Sequence, residues 1–157
     1  MKKSKGFTLI ELLIVIGIIA ILAAIIYVAV DPARRLAEAR DADRWSSVNS
    51  ILNAVLKYTV DNRGAMPANL TAVDTGTYVL GTDATGCTCT ATATSTTAAA
   101  CVDLTSALVD TYLSSIPYDQ KSGSAANTDY YIYRSASGRI KVGACDPERA
   151  TAIGVAR

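Results

Sequence analysis

The sequence predicts an α+β protein, in which a long N-terminal α-helix is followed by a small antiparallel β-sheet. An apolar run of 24 residues, Phe7–Val30, continues into an amphipathic stretch that ends before Gly64. Farther along, the β-forming runs Tyr130–Arg134 and Arg139–Val142 flank a turn that contains a glycine. We expect the amphipathic half of the helix to pack on the sheet that these strands begin.

Shorter signals complete the predicted domain. Tyr78–Leu80 and Thr151–Val155 predict two further strands, which makes a sheet of three or four. Asp103–Ser115 predicts a short helix, because leucines recur at helical spacing after an aspartate cap. In the long helix, Pro32 removes one backbone donor, so we expect the helix to restart there with Asp31 as its cap.

The composition argues against an enzyme. The 157 residues leave room for one modest domain. Histidine is absent, which removes the commonest general base and metal ligand and every Ser/His or Cys/His pair. A formal net charge of +1 gives no general electrostatic reason to bind nucleic acid. We therefore predict no enzymatic activity, no cofactor and no nucleic-acid partner.

The apolar run is long enough to cross a membrane. Only Thr8 and Glu11 within it are clearly polar or charged. As a helix it would span roughly 36 Å, against a hydrocarbon core of about 30 Å. The lysines that precede it should remain on the cytoplasmic side, so residues 31–157 should face outward.

The start of this run does not have the order of a secretory signal peptide, whose cleavage site follows the apolar stretch. Here the basic residues abut Gly6, and the apolar stretch leads straight into the domain. Glu11 within the span would cost about 2.5–3.5 kcal/mol, unless it reaches the membrane interface. A cut after Gly6 would give Phe7 a free amine. Such an amine on a neighbouring copy would pair with Glu11 and make both charges tolerable.

The segment KGFTLIEL, residues 5–12, resembles the processing and N-methylation motif of type IV prepilins and type II secretion pseudopilins. The resemblance extends over Met1–Gly64. It implies that a membrane prepilin peptidase, which is also the methyltransferase, cuts after Gly6 and methylates Phe7. It also implies that Glu11 pairs with the N-terminus of a neighbouring subunit. Many family members carry a proline near the position of Val28, which this chain lacks.

The resemblance divides the chain into a leader at residues 1–6, a membrane or filament-core helix at 7–30 and an extracytoplasmic domain at 31–157. The amphipathic half-helix of that domain covers residues 31–63. The resemblance also implies that the chain is a structural subunit of an extracellular type IV pilus, which is a helical homo-oligomer. The precursor would first sit in the cytoplasmic membrane with the pilus or type II secretion assembly machinery. A type II secretion pseudopilin and, more distantly, a membrane-anchored binding domain are the alternatives.

Four cysteines, Cys87, Cys89, Cys101 and Cys145, lie beyond the apolar run, where an oxidising compartment would join them. Three connectivities exist, and a bond between Cys87 and Cys89 would close a very tight ring. We predict at least one disulfide, which joins Cys101 to Cys87 or to Cys89. Residues 81–100 are rich in Thr, Ala, Gly and Ser and predict an exposed loop.

Charged residues elsewhere carry weaker signals. The mixed-sign stretch from Arg34 to Arg44 predicts a solvated helix surface, or charge pairing between subunits. Asp119 and Asp129 bracket a loop before the hairpin, comparable in position to the calcium loop of major pseudopilins. They are weak calcium candidates, because calcium takes six to eight oxygen ligands. Turn-forming aspartates are the alternative.

Overall fold

The computed structural model describes residues 6–71, 76–89 and 101–157, together with the backbone of 96–98. Of the predicted leader, all but Gly6 lies outside the described residues, as does part of the predicted loop at 81–100. The chain divides into two compact units, Met1–Ala37 and Glu38–Arg157. The helices are α1 (Leu9–Val30), α2 (Pro32–Asp61), α3 (Ala68–Thr71) and α4 (Thr105–Leu108); the strands are β1 (Gly76–Val79), β2 (Cys87–Cys89), β3 (Thr96–Ala98), β4 (Tyr130–Arg134), β5 (Ile140–Ala144) and β6 (Gly154–Ala156).

Helix α1 is apolar on all sides and buries none of its side chains. Within the described part of the chain, Leu9–Val30 is the helix whose length and composition would allow it to cross a membrane. A helix of this kind has no polar face to turn toward water. Its surface therefore requires lipid or other protein chains around it.

The break between the first two helices lies at Asp31. Helix α1 ends at Val30, and Asp31 takes a left-handed conformation with φ of 45°. Pro32 then opens α2 at the first helical position, where its missing N–H is harmless. The Asp31 carboxylate accepts a hydrogen bond from the Arg34 N–H at 3.3 Å. The predicted restart with an aspartate cap is confirmed.

The second unit is built on a four-stranded antiparallel sheet with the order β1-β4-β5-β6. The predicted hairpin is confirmed: Tyr130 pairs with Ala144 and Arg134 pairs with Ile140. Gly138 takes a φ of 83° in its turn, where its N–H donates to the Ser135 carbonyl. The α+β class is confirmed, with both edge strands shifted by a few residues from their predicted bounds.

One face of this sheet packs against α2. Residues on α2 are buried at the three- and four-residue spacing of a helix face, and the sheet contributes every second residue of its central strands. The main core contains Val48, Ile51, Leu52, Val55, Leu80, Leu104, Leu108, Tyr130, Ile132, Ile140, Val142 and Ile153. The amphipathic pattern of the sequence therefore marks the surface that joins helix and sheet.

The predicted helix Asp103–Ser115 is wrong in length, because α4 ends at Leu108. Val109 is extended, with ψ of 149°, and Asp110 is left-handed, with φ of 73°. The apolar residues beyond Leu108, whose spacing suggested a longer helix, reach the core without one. The N–H groups of Tyr112 and Leu113 both donate to the Leu108 carbonyl, which brings these side chains to the main core in a turn.

The other face of the sheet carries a second, smaller core. It consists of Val79, Cys87, Cys89, Tyr131 and Cys145, which we call the outer-face cluster. Tyr130 and Tyr131 point to opposite faces because side chains alternate along a strand. The ring of Tyr131 lies against β5 at Gly143, where a side chain would collide with it.

We predict that Gly143→Ala lowers the free energy of unfolding by about 1–3 kcal/mol, as overpacking does in other cores. The added methyl group would meet the Tyr131 ring and the Ile153 carbonyl oxygen, the latter at 2.7 Å. Gly76→Ala in β1 is the matched control, because its methyl group meets nothing closer than 3.7 Å. Urea unfolding of both variants measures the difference. Equal stability of the two variants would contradict the described packing.

Candidate processing and assembly site

The Glu11 carboxylate is bound at the start of its own helix. Its Oε2 accepts hydrogen bonds from the Thr8 N–H at 2.8 Å and from the Thr8 hydroxyl at 2.7 Å. The Glu11 N–H in turn donates to Thr8 Oγ1 at 3.3 Å, which completes a capping box. Thr8 was not among the predicted site residues, although the Thr8-x-x-Glu11 spacing is the sequence signature of this motif. The capping box fixes the orientation of Glu11.

Gly6 and Phe7 precede the helix, which begins at Leu9. Phe7 is 82% exposed, and both residues lack regular secondary structure. The bond predicted to be cut therefore lies in accessible, non-helical chain. Both hydrogen bonds from Thr8 fall on Oε2 of Glu11, so Oε1 retains acceptor capacity for a donor from another molecule.

The four cysteines form two pairs in the second unit. Cys87 bonds to Cys101 and Cys89 bonds to Cys145, each with a Cα–Cα distance of 5.3 Å. Cys87 is one of the two partners that the sequence predicts for Cys101. The pairing of Cys89 with Cys145, across 56 residues, had no signal in the sequence.

Asp119 is engaged by an arginine instead of standing free for a cation. Its carboxylate bonds to the Arg44 guanidinium and accepts the N–H groups of Lys121 and Ser122, at 2.8 and 3.2 Å. Asp129 is buried in a left-handed conformation nearby. Among the residues that the structure describes, no group of three or more acidic or cysteine side chains forms a metal site. The geometry favours a structural role for Asp119 over calcium ligation.

Arg44 is the centre of a buried charge cluster and is 2% exposed. Besides Asp119 it bonds to Asp41 at 2.8 Å and to Glu148 at 3.1 Å. Asp41 also accepts the backbone N–H groups of residues 148, 149 and 150, at 2.7–2.9 Å. Helix α2 thereby holds two loops that are remote in sequence. The prediction of a solvated surface is wrong at Asp41 and Arg44, because both side chains are buried among partners from these loops.

Residues 1–27 match the family model of the prokaryotic N-terminal methylation motif. The chain begins with a prepilin-type N-terminus. Gly6, Phe7, Thr8 and Glu11 all lie within it, whereas the cysteines and the Arg44 cluster lie outside it.

The chain is also similar to the type IV wide pilus major component PilA4 of Thermus thermophilus. The two are 45% identical over 62 residues, which cover 40% of this chain and 46% of PilA4. The chain thus spans about half the length of the curated relative that it matches. No solved structure matches it.

The acids of the buried cluster have perturbed pKa values. Burial alone would raise the pKa of Asp41, but hydrogen bonds from backbone N–H groups and Arg44 outweigh it and lower the pKa. Burial would also raise the pKa of Asp119, but hydrogen bonds from Arg44 and from backbone N–H groups outweigh burial and lower this pKa. Hydrogen bonding to Arg40 is the main cause that lowers the pKa of Glu148. Burial raises the pKa of Asp129.

We predict that Arg44→Met destabilises the second unit by about 3–5 kcal/mol, because it leaves buried carboxylates without their counter-charge. Arg40→Met is the control: Arg40 also bonds Glu148, but its side chain is 32% exposed, so a much smaller loss is expected. Chemical unfolding of the full chain in detergent measures both. Similar losses for the two variants would contradict the central position of Arg44.

We also predict that stability falls as the solution is acidified from about pH 5 downward. A lowered folded-state pKa stabilises the fold above the unfolded-state pKa of about 4, and this contribution disappears as pH falls through the folded value. The folded-state pKa is lowered in this way at Asp41, Asp119 and Glu148. Asp129 has the opposite sign and offsets part of the effect. Thermal unfolding across this range should show a steeper pH dependence for wild type than for Arg44→Met, and parallel curves would contradict the cause given.

Proposed function

We propose that this chain is a structural subunit of a type IV pilus, which performs no chemistry and functions by assembly. The observation that carries the proposal is an all-round apolar, fully exposed helix, α1, that begins in a prepilin-type methylation motif. The precursor is cut after Gly6 and methylated at Phe7 by a membrane peptidase and methyltransferase. The mature subunit then enters a filament through α1.

The exposed surface of α1 confines the subunit to surroundings without water. Burying one large apolar side chain contributes about 1.5–3 kcal/mol, and α1 consists almost entirely of such side chains. Lipid satisfies this surface in the precursor. A bundle of α1 helices from other subunits satisfies it in the filament, so that transfer from membrane to filament keeps the helix out of water throughout.

Glu11 is the charged residue on the otherwise apolar surface of α1, and it can fix where a neighbouring subunit binds. Its carboxylate is the acidic group of α1, and Thr8 holds it at the helix start. In a water-excluded helix bundle a carboxylate requires a counter-charge. The amine that cleavage creates on Phe7 of a neighbouring subunit provides one. Pairing of Oε1 with that amine would set the position of each new subunit.

The location and partners follow from the same proposal. The lysine-rich leader stays in the cytoplasm, α1 sits in the cytoplasmic membrane, and residues 31–157 fold outside before the filament is built by the pilus assembly machinery. The similarity to a major pilus component supports a surface pilus over a type II secretion pseudopilus. Filaments sheared from the cell surface that contain this chain would support the pilus; their absence under secretion-active conditions would favour the pseudopilus.

The decisive variant is Glu11→Gln, because glutamine preserves a capping box but carries no charge. We predict normal membrane insertion and loss of filaments, since each buried amine would lose its counter-charge at roughly 3–5 kcal/mol. Filament yield is compared at equal precursor levels in the membrane.

Thr8→Ala is the matched control. It removes the cap, at about 0.5–2 kcal/mol, but keeps the carboxylate, so filaments should persist at a reduced yield. Wild-type yield from Glu11→Gln would show that Glu11 acts through its cap alone and would contradict the charge pairing.

A further inference from the structure

The second unit has two ends, which differ in the charges that they carry. One end, which we call the start end, lies beside the beginning of α2, where Arg44 bonds to Asp119 and Glu148. The other, which we call the turn end, lies beside the end of α2 and contains the turn between β4 and β5. Met66, just beyond α2, is close to this turn, because a β-carbon added at Gly138 would lie 3.8 Å from its side chain.

The turn end carries a surplus of basic side chains. Two of them flank the turn between β4 and β5, and a third belongs to the residue that exchanges backbone hydrogen bonds with Ile140. The basic side chains described at this end are Lys57, Arg63, Arg134, Arg139, Lys141 and Arg157, and the acidic ones are Asp61 and Asp110. Six cations against two anions give a balance of +4, which stays at +3 if a terminal carboxylate follows Arg157.

The start end has the opposite balance. The Arg44 cluster is neutral as a whole, because it contains three cations and three anions. Its members are Arg40, Arg44, Lys121, Asp41, Asp119 and Glu148. Outside this cluster, the charged side chains described at the start end are five acidic and one basic, a balance of −4. They are Glu38, Asp43, Asp83, Asp129, Asp146 and Arg149.

Backbone hydrogen bonds place the outlying acids of this set. The N–H of Asp83 donates to the Ala126 carbonyl, in the loop that contains Asp119. Asp146 follows Cys145, whose N–H donates to the Asp129 carbonyl. Asp129 is buried, and without it the balance of the start end is still −3.

The two ends are too far apart to neutralise each other. The stretch of α2 from Arg44 to Asp61 rises by roughly 25 Å. Exposed charges are screened over about 8 Å at physiological ionic strength. Each end therefore presents its own electrostatic field to other molecules.

We propose that the turn end of one subunit docks on the start end of a second copy of this chain, as a head-to-tail contact in the filament. Two like ends would bring charges of the same sign together, which is costly, whereas opposite ends attract. A contact between two different surfaces of identical chains continues as an open helical filament when it does not close into a ring. This docking rests on the proposed pilus function and gives each subunit a second contact besides that of Glu11.

The start end is the reason to choose a second copy over a polyanion such as nucleic acid. A polyanion would bind the turn end alone and would be repelled by the start end. A second copy of the chain matches both ends, because their surpluses are equal in size and opposite in sign.

Two exposed arginines, Arg139 at the turn end and Arg149 at the start end, allow a matched comparison. Each Arg→Glu change lowers the formal charge by two. We expect filament yield at equal precursor levels to fall at least about threefold for Arg139→Glu and at least about tenfold for Arg63→Glu/Arg139→Glu, because the attraction between the ends is lost. Arg149→Glu makes the start end more acidic, so its yield should equal or exceed that of wild type.

The reciprocal variant is Asp43→Lys, which weakens the start end at an exposed position. Its yield should fall at least about threefold, like that of Arg139→Glu. Normal yield from Asp43→Lys would overturn the docking and would leave the turn end to an anionic partner. Normal yield from Arg63→Glu/Arg139→Glu, or equal losses from Arg139→Glu and Arg149→Glu, would overturn it as well.

The processing state separates this docking from the proposed function. If wild type is cut after Gly6 and forms filaments that the charge variants do not change, the docking fails and the pilus function stands. If wild type is neither cut nor assembled, the pilus function itself fails, and the docking fails with it.

Arg139→Lys provides a direct measurement of the contact, because it keeps the charge and places an amine at the turn. Filaments that contain isotopically labelled and unlabelled subunits are treated with a carbodiimide, which joins an amine to a carboxylate in contact with it. Mixed-isotope links from this amine to Glu38, Asp43 or Asp146 would support the docking. Links confined to Asp61 or Asp110, or no links between subunits, would overturn it.

Discussion

Helix α1 buries none of its side chains within the chain, and this constraint determines what the molecule can be. An amphipathic helix turns its polar side to water, but Leu9–Val30 has no polar side. Water is therefore excluded as its long-term surroundings, and lipid or further copies of the helix remain. The same constraint affects Glu11, which lies on this apolar helix. A carboxylate that would be ordinary on a soluble helix becomes costly there, and under the proposed processing the amine of a neighbouring Phe7 would offset that cost only in an ordered assembly.

In the second unit, both faces of the sheet are covered by other parts of the same unit, and the two faces are covered by different kinds of side chain. On one face, α2 supplies a conventional apolar core, and the Arg44 cluster ties the loops around it to the helix. On the other face, the core of the described residues contains no helical side chain and consists of Val79, Tyr131 and disulfide-bonded cysteines. Small secreted domains use the same solution when apolar side chains are scarce. The Thr- and Ala-rich composition between residues 81 and 100 explains why they are scarce here.

Local patterns in the sequence were sufficient for most of the fold. The helix restart at Pro32 and the hairpin with Gly138 depend on residues close in sequence, and both predictions are confirmed. Asp103–Ser115 failed because an apolar period can be met by a turn as well as by a helix, and Asp110 tolerates the left-handed conformation that ends α4.

At the candidate site, the informative signal was again local. Gly6, Phe7 and Glu11 were candidates because they resemble a short prepilin motif, and Thr8 was equally readable as the first residue of a capping box. The partners of Arg44 and Cys145 could not be predicted, because contacts across 56 to 104 residues leave no periodicity in the sequence.

The central claim is that the chain is processed at Gly6 and assembled through the helix thus released. The most direct measurement is the intact mass and N-terminal fragment sequence of this chain from purified surface filaments. The account predicts a chain that begins at Phe7 and carries one methyl group on its amine. Filaments in which Met1 is still attached would contradict it, since Glu11 would then have no neighbouring amine with which to pair.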